Sequence, residues 1–155
     1  AKRLGIDVLA HPGRDPGPPH TQAYLQALAA YKVSLATASR FGFALRKIVE
    51  SVAAGCVCIT DLPAYDVLPV IDPWLVRVKA SAGDDEIRDA IDRAAAGWSL
   101  EAAVDRSRAA VEFYGYRAAG ARLAAEIEAE WMRRRESDPD GAGQSRAPDL
   151  RATPQ

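Results

Sequence analysis

Short apolar runs alternate with amphipathic segments along most of the chain, and this alternation predicts an α/β fold. Four apolar runs predict strands, over Leu4–Ala10, Val33–Ser39, Cys56–Thr60 and Trp74–Ala80. Runs that are apolar throughout are typical of strands buried on both faces of a parallel sheet. We therefore predict a three-layer, Rossmann-like parallel sheet with helices on both of its faces.

Apolar residues at helical spacing predict the helices that connect and follow these strands. Polar residues that favour helix starts precede three of them, and a glycine of the kind that ends helices follows another. These predicted boundary residues are Thr21, Asp84 and Ser99 at helix starts, and Gly55 at a helix end.

The C-terminal part of the chain is predicted to consist of long helices followed by a tail. The last helix, from 117 to 135, carries an apolar stripe of Leu123, Ile127 and Trp131, which favours a partner or self-association. From Glu136 onward the chain is rich in Pro, Gly, Asp and Ser, which predicts disorder. Residues 1–135 are therefore expected to form one Rossmann-like domain, and residues 136–155 a disordered tail.

Composition narrows the classes of function. The net charge of −1 gives little support to binding of nucleic acid or of an anionic membrane surface. No run reaches the ~18 apolar residues of a membrane span, and no signal-peptide pattern opens the sequence. Cys56 and Cys58 lie two residues apart, where a mutual disulfide is sterically poor, so we interpret them as structural thiols of a reducing, cytoplasmic setting.

The stretch "FGFALRKIVESVAAG", from Phe41 to Gly55, carries the most informative chemistry. Gly42 permits close approach of a ligand to the backbone, and the following helix start offers free N–H groups with partial positive charge. Arg46 and Lys47 lie in its first turns and suit a diphosphate, whereas Glu50, one turn later, suits ribose hydroxyls. The same spacing equally allows a simple surface ion pair between Arg46 and Glu50.

These residues, with others on either side, resemble the C-terminal half of GT-B glycosyltransferases, and within them the spore-maturation-type branch of the group 1 enzymes. The resemblance covers roughly residues 5 to 130 and is most specific from 41 to 63. It is carried by His11-Pro12-Gly13, Tyr24, Lys47, Glu50, Ala53 with Gly55, and Asp61-Leu62-Pro63.

The resemblance implies a nucleotide diphosphate sugar as donor, and an acceptor hydroxyl whose identity it leaves open. Lys47, with Arg46 beside it, would stabilise the departing diphosphate, and Glu50 would bind the ribose. The loop from Thr37 to Phe43 would lie along the donor sugar and phosphates. The remaining implied donor contacts are His11, Gly13, Ser39, Gly42, Phe43, Asp61, Leu62 and Pro63. No metal or other cofactor is expected.

Two departures from the family pattern matter. The broader family has an acidic residue eight positions before the ribose glutamate, where this chain has Gly42. The resemblance also covers the donor half alone, whereas the family's acceptor side belongs to an N-terminal domain. We therefore expect activity only when this domain meets a separate N-terminal half or another partner.

Two other classes of function use the same kind of sheet. A degenerate glycosyltransferase fold that binds a nucleotide or a protein without turnover fits the sequence as well as an enzyme does. A response-regulator receiver fits poorly, because it needs an acidic pair where this chain has His11-Pro12, and an aspartate where it has Ser39.

Overall fold

The computed structural model describes residues 4–9 and 18–137, and within them the chain forms five helices and three strands. In chain order they are α1 (Pro18–Leu28), β1 (Val33–Leu35), α2 (Arg46–Ala53), β2 (Val57–Thr60), β3 (Leu75–Arg77), α3 (Asp84–Ala96), α4 (Leu100–Tyr114) and α5 (Tyr116–Ser137). A 3₁₀ turn, Asp72–Trp74, leads into β3.

The three strands form one parallel sheet in the order β1-β2-β3. Val33 pairs with Val57 at one side of the central strand, and Cys58 pairs with Leu75 at the other. The prediction of an α/β fold with a parallel sheet is therefore confirmed. The strands are shorter than predicted, since β1 ends at Leu35 rather than Ser39 and β3 at Arg77 rather than Ala80.

The strand predicted over Leu4–Ala10 is wrong for residues 4–9, which contain no strand. Gly5 has a φ of +68°, a left-handed value that interrupts an extended strand. Beyond it the Tyr31 hydroxyl donates a hydrogen bond of 3.1 Å to Asp7 Oδ2. An apolar run of this length thus lies outside the sheet because its backbone turns at the glycine.

Two apolar clusters lie against the sheet, and neighbouring residues of β2 belong to different clusters. Cys58 packs with Ile48 and Val52 of α2 and with Ala110 of α4. Ile59 packs with α3 residues in the second cluster, which also takes in Val33 and Val76 from the flanking strands. Successive side chains of a strand point to opposite faces, so this division explains why β2 is apolar at three successive positions, Val57, Cys58 and Ile59.

Both cysteines are buried and free, as expected for structural thiols. Burial raises the pKa of each thiol to about 11, because the charged thiolate loses its hydration. Arg106 partly opposes this rise at Cys56 through its positive charge.

Helix boundaries follow local chemistry in some places and not in others. Ser99 caps α4 as predicted, its Oγ accepting a hydrogen bond of 3.2 Å from Ala102 N–H. Gly55 follows α2 with a φ of +85°, the left-handed value that a C′ glycine supplies. Asp84 is not a cap but the first residue of α3, because the extended residue before the helix is Gly83. Thr21 lies inside α1, which already begins at Pro18, a residue that favours a first helical turn.

The described residues divide into two compact units, one that ends at Gly115 and one that begins at Tyr116. In the second unit α5 keeps its apolar stripe exposed, with Leu123, Ile127 and Trp131 each more than half accessible. Glu136 and Ser137, predicted as the start of the tail, still belong to this helix. The rest of the predicted tail lies outside the described residues. Across the described part of the chain, the helices are too short or too polar to cross a membrane.

Candidate functional site

The residues that the sequence singled out lie in two loops at the carboxyl edge of the sheet and in the helix that starts there. One loop follows β1 and leads into α2, and the other follows β2. In open α/β sheets this edge is where ligands bind. His11 and Gly13, two further predicted donor contacts, lie outside the described residues.

Ser39 organises the turn between β1 and α2. Its Oγ accepts hydrogen bonds from Phe41 N–H and Phe43 N–H, both 3.2 Å long. Its own N–H donates to the Phe43 carbonyl at 2.9 Å, and its carbonyl accepts from Gly42 N–H at 2.9 Å. The predicted ligand contact is thus a turn-forming residue, whose hydroxyl holds the loop that would face the ligand.

Gly42 occupies a position that suits only glycine. Its φ is +75°, and an added Cβ would lie 3.0 Å from the Tyr65 hydroxyl and 3.3 Å from Pro63 Cγ. The two loops therefore meet at this glycine, and a side chain there would separate them. Pro63, predicted as a donor contact, acts here as a packing partner of the turn.

Lys47 lies in the first turn of α2, and its ammonium group reaches back to the loop after β1. Its Nζ donates a hydrogen bond of 2.9 Å to Thr37 Oγ1. No side chain caps the N-terminus of this helix, whose N-cap residue is Leu45. A cation and the positive end of a helix dipole thus coincide at the carboxyl edge of β1.

Arg46 and Glu50 form the ion pair that their spacing allows. Arg46 Nε lies 2.8 Å from Glu50 Oε1, and the carboxylate side chain is only 15% exposed. Tyr24 of α1 lies close enough for the charge of Glu50 to affect its pKa. Burial raises the pKa of Tyr24, and the negative charge of Glu50 raises it further. Glu50 is therefore held among protein groups from two helices, and its predicted role toward ribose stays a prediction.

Asp61 and Leu62 also have well-defined roles in the fold. Asp61 Oδ1 accepts a hydrogen bond of 2.6 Å from Ala38 N–H, and this bond ties the loop after β2 to the loop after β1. Leu62 is only 2% exposed and belongs to the larger apolar cluster. A ligand at this edge would therefore reach the side chain of Asp61 but not that of Leu62.

Sequence reasoning missed the residues that hold the second loop in place. Arg77 of β3 donates hydrogen bonds to the carbonyls of Leu62 (2.7 Å), Pro63 (2.8 Å) and Asp66 (3.0 Å). It also forms an ion pair with Asp72. Asp66 Oδ2 in turn accepts a hydrogen bond of 2.7 Å from Ala44 N–H, just before α2. In the sequence, the sign of this network is that Asp66, Asp72 and Arg77 are charged residues in a mostly apolar stretch.

Asp66 also affects the electrostatics of the helix start. Its carboxylate neutralises part of the positive potential near Ala44, yet it lies ahead of the first helical residue. Lys47 supplies positive charge one residue into the helix. The combination leaves a small, exposed cationic region beside Thr37. Such a region suits a diphosphate better than an extended polyanion.

A separate groove of about 520 Å³ lies at the far end of α2, away from these residues. Trp98, Ala103, Ser107 and Arg108 are among the residues that line it. Several polar groups there serve the end of α2, since Ser107 Oγ donates to the Ala53 carbonyl at 2.7 Å and Trp98 Nε1 to the Gly55 carbonyl at 3.2 Å. The groove lies at the opposite edge of the sheet from Lys47 and shares no residue with the predicted site.

Residues 4–9 and 18–137 contain no cluster of three or more His, Cys, Asp or Glu side chains that could hold a metal ion.

Comparisons of this chain with protein-family models, with curated proteins and with solved structures found no match. The resemblance to glycosyltransferases therefore depends on the residues quoted from the sequence, and the site on the geometry described above.

Proposed function

We propose that this chain is the donor-binding domain of a GT-B glycosyltransferase, which transfers a sugar from a nucleotide diphosphate sugar to an acceptor hydroxyl. In this proposal the three-stranded sheet is the centre of a three-layer, Rossmann-like domain. The donor lies across the carboxyl edge of that sheet, over the start of α2.

One observation carries the proposal: Lys47 lies beside the uncapped start of α2 at the carboxyl edge of β1. Its Nζ donates an exposed hydrogen bond of 2.9 Å to Thr37, which holds the charge beside the loop after β1, where a ligand can reach it. The backbone N–H groups at the helix start have no side-chain cap and add a second source of positive potential. A diphosphate at this position would be bound by a cation and by backbone N–H groups together.

The position of Glu50 indicates how the donor would lie along α2, with its diphosphate at Lys47 and its ribose at Glu50. Glu50 follows Lys47 by three residues, which a helical rise of about 1.5 Å per residue converts to roughly 4.5 Å along the axis. A carboxylate at that distance from a bound diphosphate can accept hydrogen bonds from ribose hydroxyls. On binding, the Glu50 carboxylate would accept hydrogen bonds from the ribose hydroxyls as well as from Arg46, its present partner at 2.8 Å.

In the reaction, Lys47 and Arg46 would stabilise the negative charge that develops on the departing diphosphate. Their two permanent charges would serve this purpose without a metal ion or another cofactor. A second half, either an N-terminal GT-B domain or another copy of this chain, would supply the acceptor side and exclude water. The two buried thiols support a reducing, cytoplasmic location.

Titration calorimetry of the purified chain against UDP, GDP, ADP and dTDP tests the proposal. We expect saturable binding of one of them. Replacing Lys47 by Ala removes a charged contact and should weaken that binding by about tenfold to a hundredfold. Glu50→Ala should weaken it by about tenfold. Lys79→Ala is the matched control, because Lys79 is an exposed lysine that follows β3 at the same edge of the sheet.

The control should bind with unchanged affinity. Absence of binding to all four nucleotides, by a chain shown to be folded, would reject the donor site. Equal losses of affinity in Lys47→Ala and Lys79→Ala would mean that nucleotide binding depends on the overall positive charge of the chain and not on this site.

A second candidate is a non-catalytic nucleotide-binding or protein-interaction module on a degenerate glycosyltransferase fold. The Arg46–Glu50 ion pair favours it, because two residues proposed for the donor already satisfy each other. Such a module would bind the nucleotide with the same dependence on Lys47. It would differ from the enzyme in giving no sugar transfer when a complementing acceptor domain is added.

A further inference from the structure

Three aromatic side chains at the proposed donor site are exposed to solvent. Phe41 is 71% exposed, Phe43 is 52% exposed and Tyr65 is 81% exposed. Two of them flank Gly42, and the hydroxyl of the third lies against the same glycine. Large apolar side chains that cluster at a surface mark places where another molecule binds.

Phe41 and Phe43 present nearly parallel rings. Their centroids are 6.4 Å apart and their planes differ by only 11°. The guanidinium carbon of Arg40 lies 4.6 Å from the centroid of the Phe41 ring, and this cation–π contact helps to fix the ring. The pair therefore offers exposed aromatic surface in two nearly parallel planes, with Arg40 over part of the Phe41 ring.

The turn that carries these rings is held before any ligand arrives. Ser39 Oγ accepts hydrogen bonds from the N–H groups of both phenylalanines, each at 3.2 Å. The Ser39 N–H adds a third hydrogen bond, which it donates to the Phe43 carbonyl at 2.9 Å. A surface that is fixed in advance loses little conformational entropy on binding, so a modest contact area can contribute to affinity.

The position of the rings indicates which part of a donor they meet. Glu50 lies on the carboxyl side of Lys47 in α2, whereas Phe41 and Phe43 lie on its amino side, before the helix begins. If ribose lies near Glu50 and the diphosphate near Lys47, the rings lie beyond the diphosphate. The group there is a sugar, either the one transferred or one that belongs to the acceptor.

We propose that Phe41 and Phe43 form an aromatic platform that stacks on the apolar C–H face of a pyranose ring. The inference rests on the proposed donor site and adds the chemistry of its sugar end. Gly42 itself has no side chain to bind sugar hydroxyls, so the exposed side-chain surface next to it is that of the two rings. The pyranose has two possible sources, the donor sugar or a carbohydrate acceptor, which share the same face chemistry.

Ligand-observed saturation-transfer NMR and calorimetry test the platform on the intact chain. The probes are the bound nucleoside diphosphate, its glucose ester, and the free trisaccharides maltotriose and chitotriose. The variants are Phe41→Ala with Phe43→Ala, and Phe41→Leu with Phe43→Leu, which keep apolar bulk without flat rings. Tyr116→Ala is the matched control, because Tyr116 is an aromatic residue that is 88% exposed in the other unit.

We expect both double variants to weaken binding of a sugar-bearing probe by about three- to tenfold, as loss of an aromatic stacking contact does. Binding of the bare nucleoside diphosphate and the Tyr116→Ala control should not change. Loss confined to the glucose ester assigns the platform to the donor sugar, and loss confined to a trisaccharide assigns it to the acceptor.

Unchanged binding of every sugar-bearing probe in the double variants would overturn the platform while leaving the nucleotide site intact. No binding of any sugar-bearing probe to the parent chain would overturn it as well. If no nucleotide binds, the proposed function fails, but ring-dependent trisaccharide binding would still support a pyranose site at this turn.

Discussion

Ser39, Asp61, Asp66 and Arg77 each bind backbone groups of the two loops at the candidate site. Their hydrogen bonds fix the loops without a ligand, so the site's geometry depends on residues that need not touch one. Lys47 differs from these residues, because its ammonium group donates to a neutral side-chain hydroxyl, that of Thr37, at the edge of the sheet. Substitutions at the pinning residues should change stability, and those at Lys47 should change binding.

Replacing Gly42 by Ala should destabilise the chain by about 1–2 kcal/mol, because an L-residue is strained at a φ of +75° and the new Cβ would crowd Tyr65 and Pro63. Chemical denaturation followed by circular dichroism measures this change. Gly120→Ala is the control, since that helical glycine has open space around it and an alanine favours the helix. Equal effects of the two substitutions would contradict the strain assigned to Gly42.

Arg77→Met should destabilise the chain by about 2–3 kcal/mol, because three carbonyls and Asp72 lose their shared donor while the apolar stem is retained. Arg108→Met is the matched control. Its ion pair with Asp105 is 3.5 Å long and largely exposed, so its loss should change stability by no more than about 0.5 kcal/mol. A small effect at Arg77 would mean that the loop after β2 is held by its apolar contacts alone.

At the level of elements, β2 has apolar side chains on both faces, and it carries one buried thiol at Cys58 and follows directly on a second at Cys56. The run of apolar residues predicted this strand to within one residue, since each face packs against a different helix cluster. The same reasoning failed at residues 4–9, where Gly5 turns the chain and Val8 is 69% exposed. An apolar run therefore predicted a buried strand at β2 but not at residues 4–9, where the backbone turns at the glycine.

The buried thiols predict how stability depends on pH. Because the pKa of both is raised to about 11 in the folded chain, the folded state holds its protons more tightly than the unfolded state. Their contribution is complete below about pH 8.5, the usual thiol pKa, and is lost as the pH rises through about 11. The free energy of unfolding should therefore fall by several kcal/mol over that interval.

Urea denaturation at pH 7, 9, 10 and 11 measures this fall. The double variant Cys56→Ala, Cys58→Ala serves as the control, because it keeps Tyr24, whose raised pKa acts in the same direction. The control should lose much less stability over the same interval. Parallel pH profiles for the parent chain and the control would show that the thiols do not cause the loss.

Helix α2 shows which part of the site could be read from sequence. The positions of Lys47, Glu50 and Gly55 relative to the helix follow from its apolar spacing: the structure has Lys47 in the first turn, Glu50 in the second, and Gly55 just after the helix end. Asp66 and Arg77 could not be assigned in this way, because their partners are backbone groups brought together only by folding. Charged residues in a loop do not reveal which carbonyl or N–H group they will meet.

At the level of the whole molecule, the first unit carries the sheet, the pinned loops and the proposed donor site. A ligand that binds only the folded chain stabilises it in proportion to its affinity. A nucleoside diphosphate at a hundred times its dissociation constant should therefore stabilise the chain by about 2.7 kcal/mol and raise its melting temperature by several degrees. Differential scanning calorimetry measures this shift, and Lys47→Ala at the same nucleotide concentration should show a smaller one.

The most direct test of the proposed donor site is the location of a bound nucleotide, measured by ¹H–¹⁵N NMR during titration with the nucleoside diphosphate that binds. We predict that the largest amide shifts occur at Gly42, Arg46 and Lys47, around the uncapped start of α2. The amides of Gly55 and Ser107, at the groove on the opposite edge of the sheet, should shift little. The reverse pattern, with the largest shifts at Gly55 and Ser107, would contradict a donor site at the start of α2.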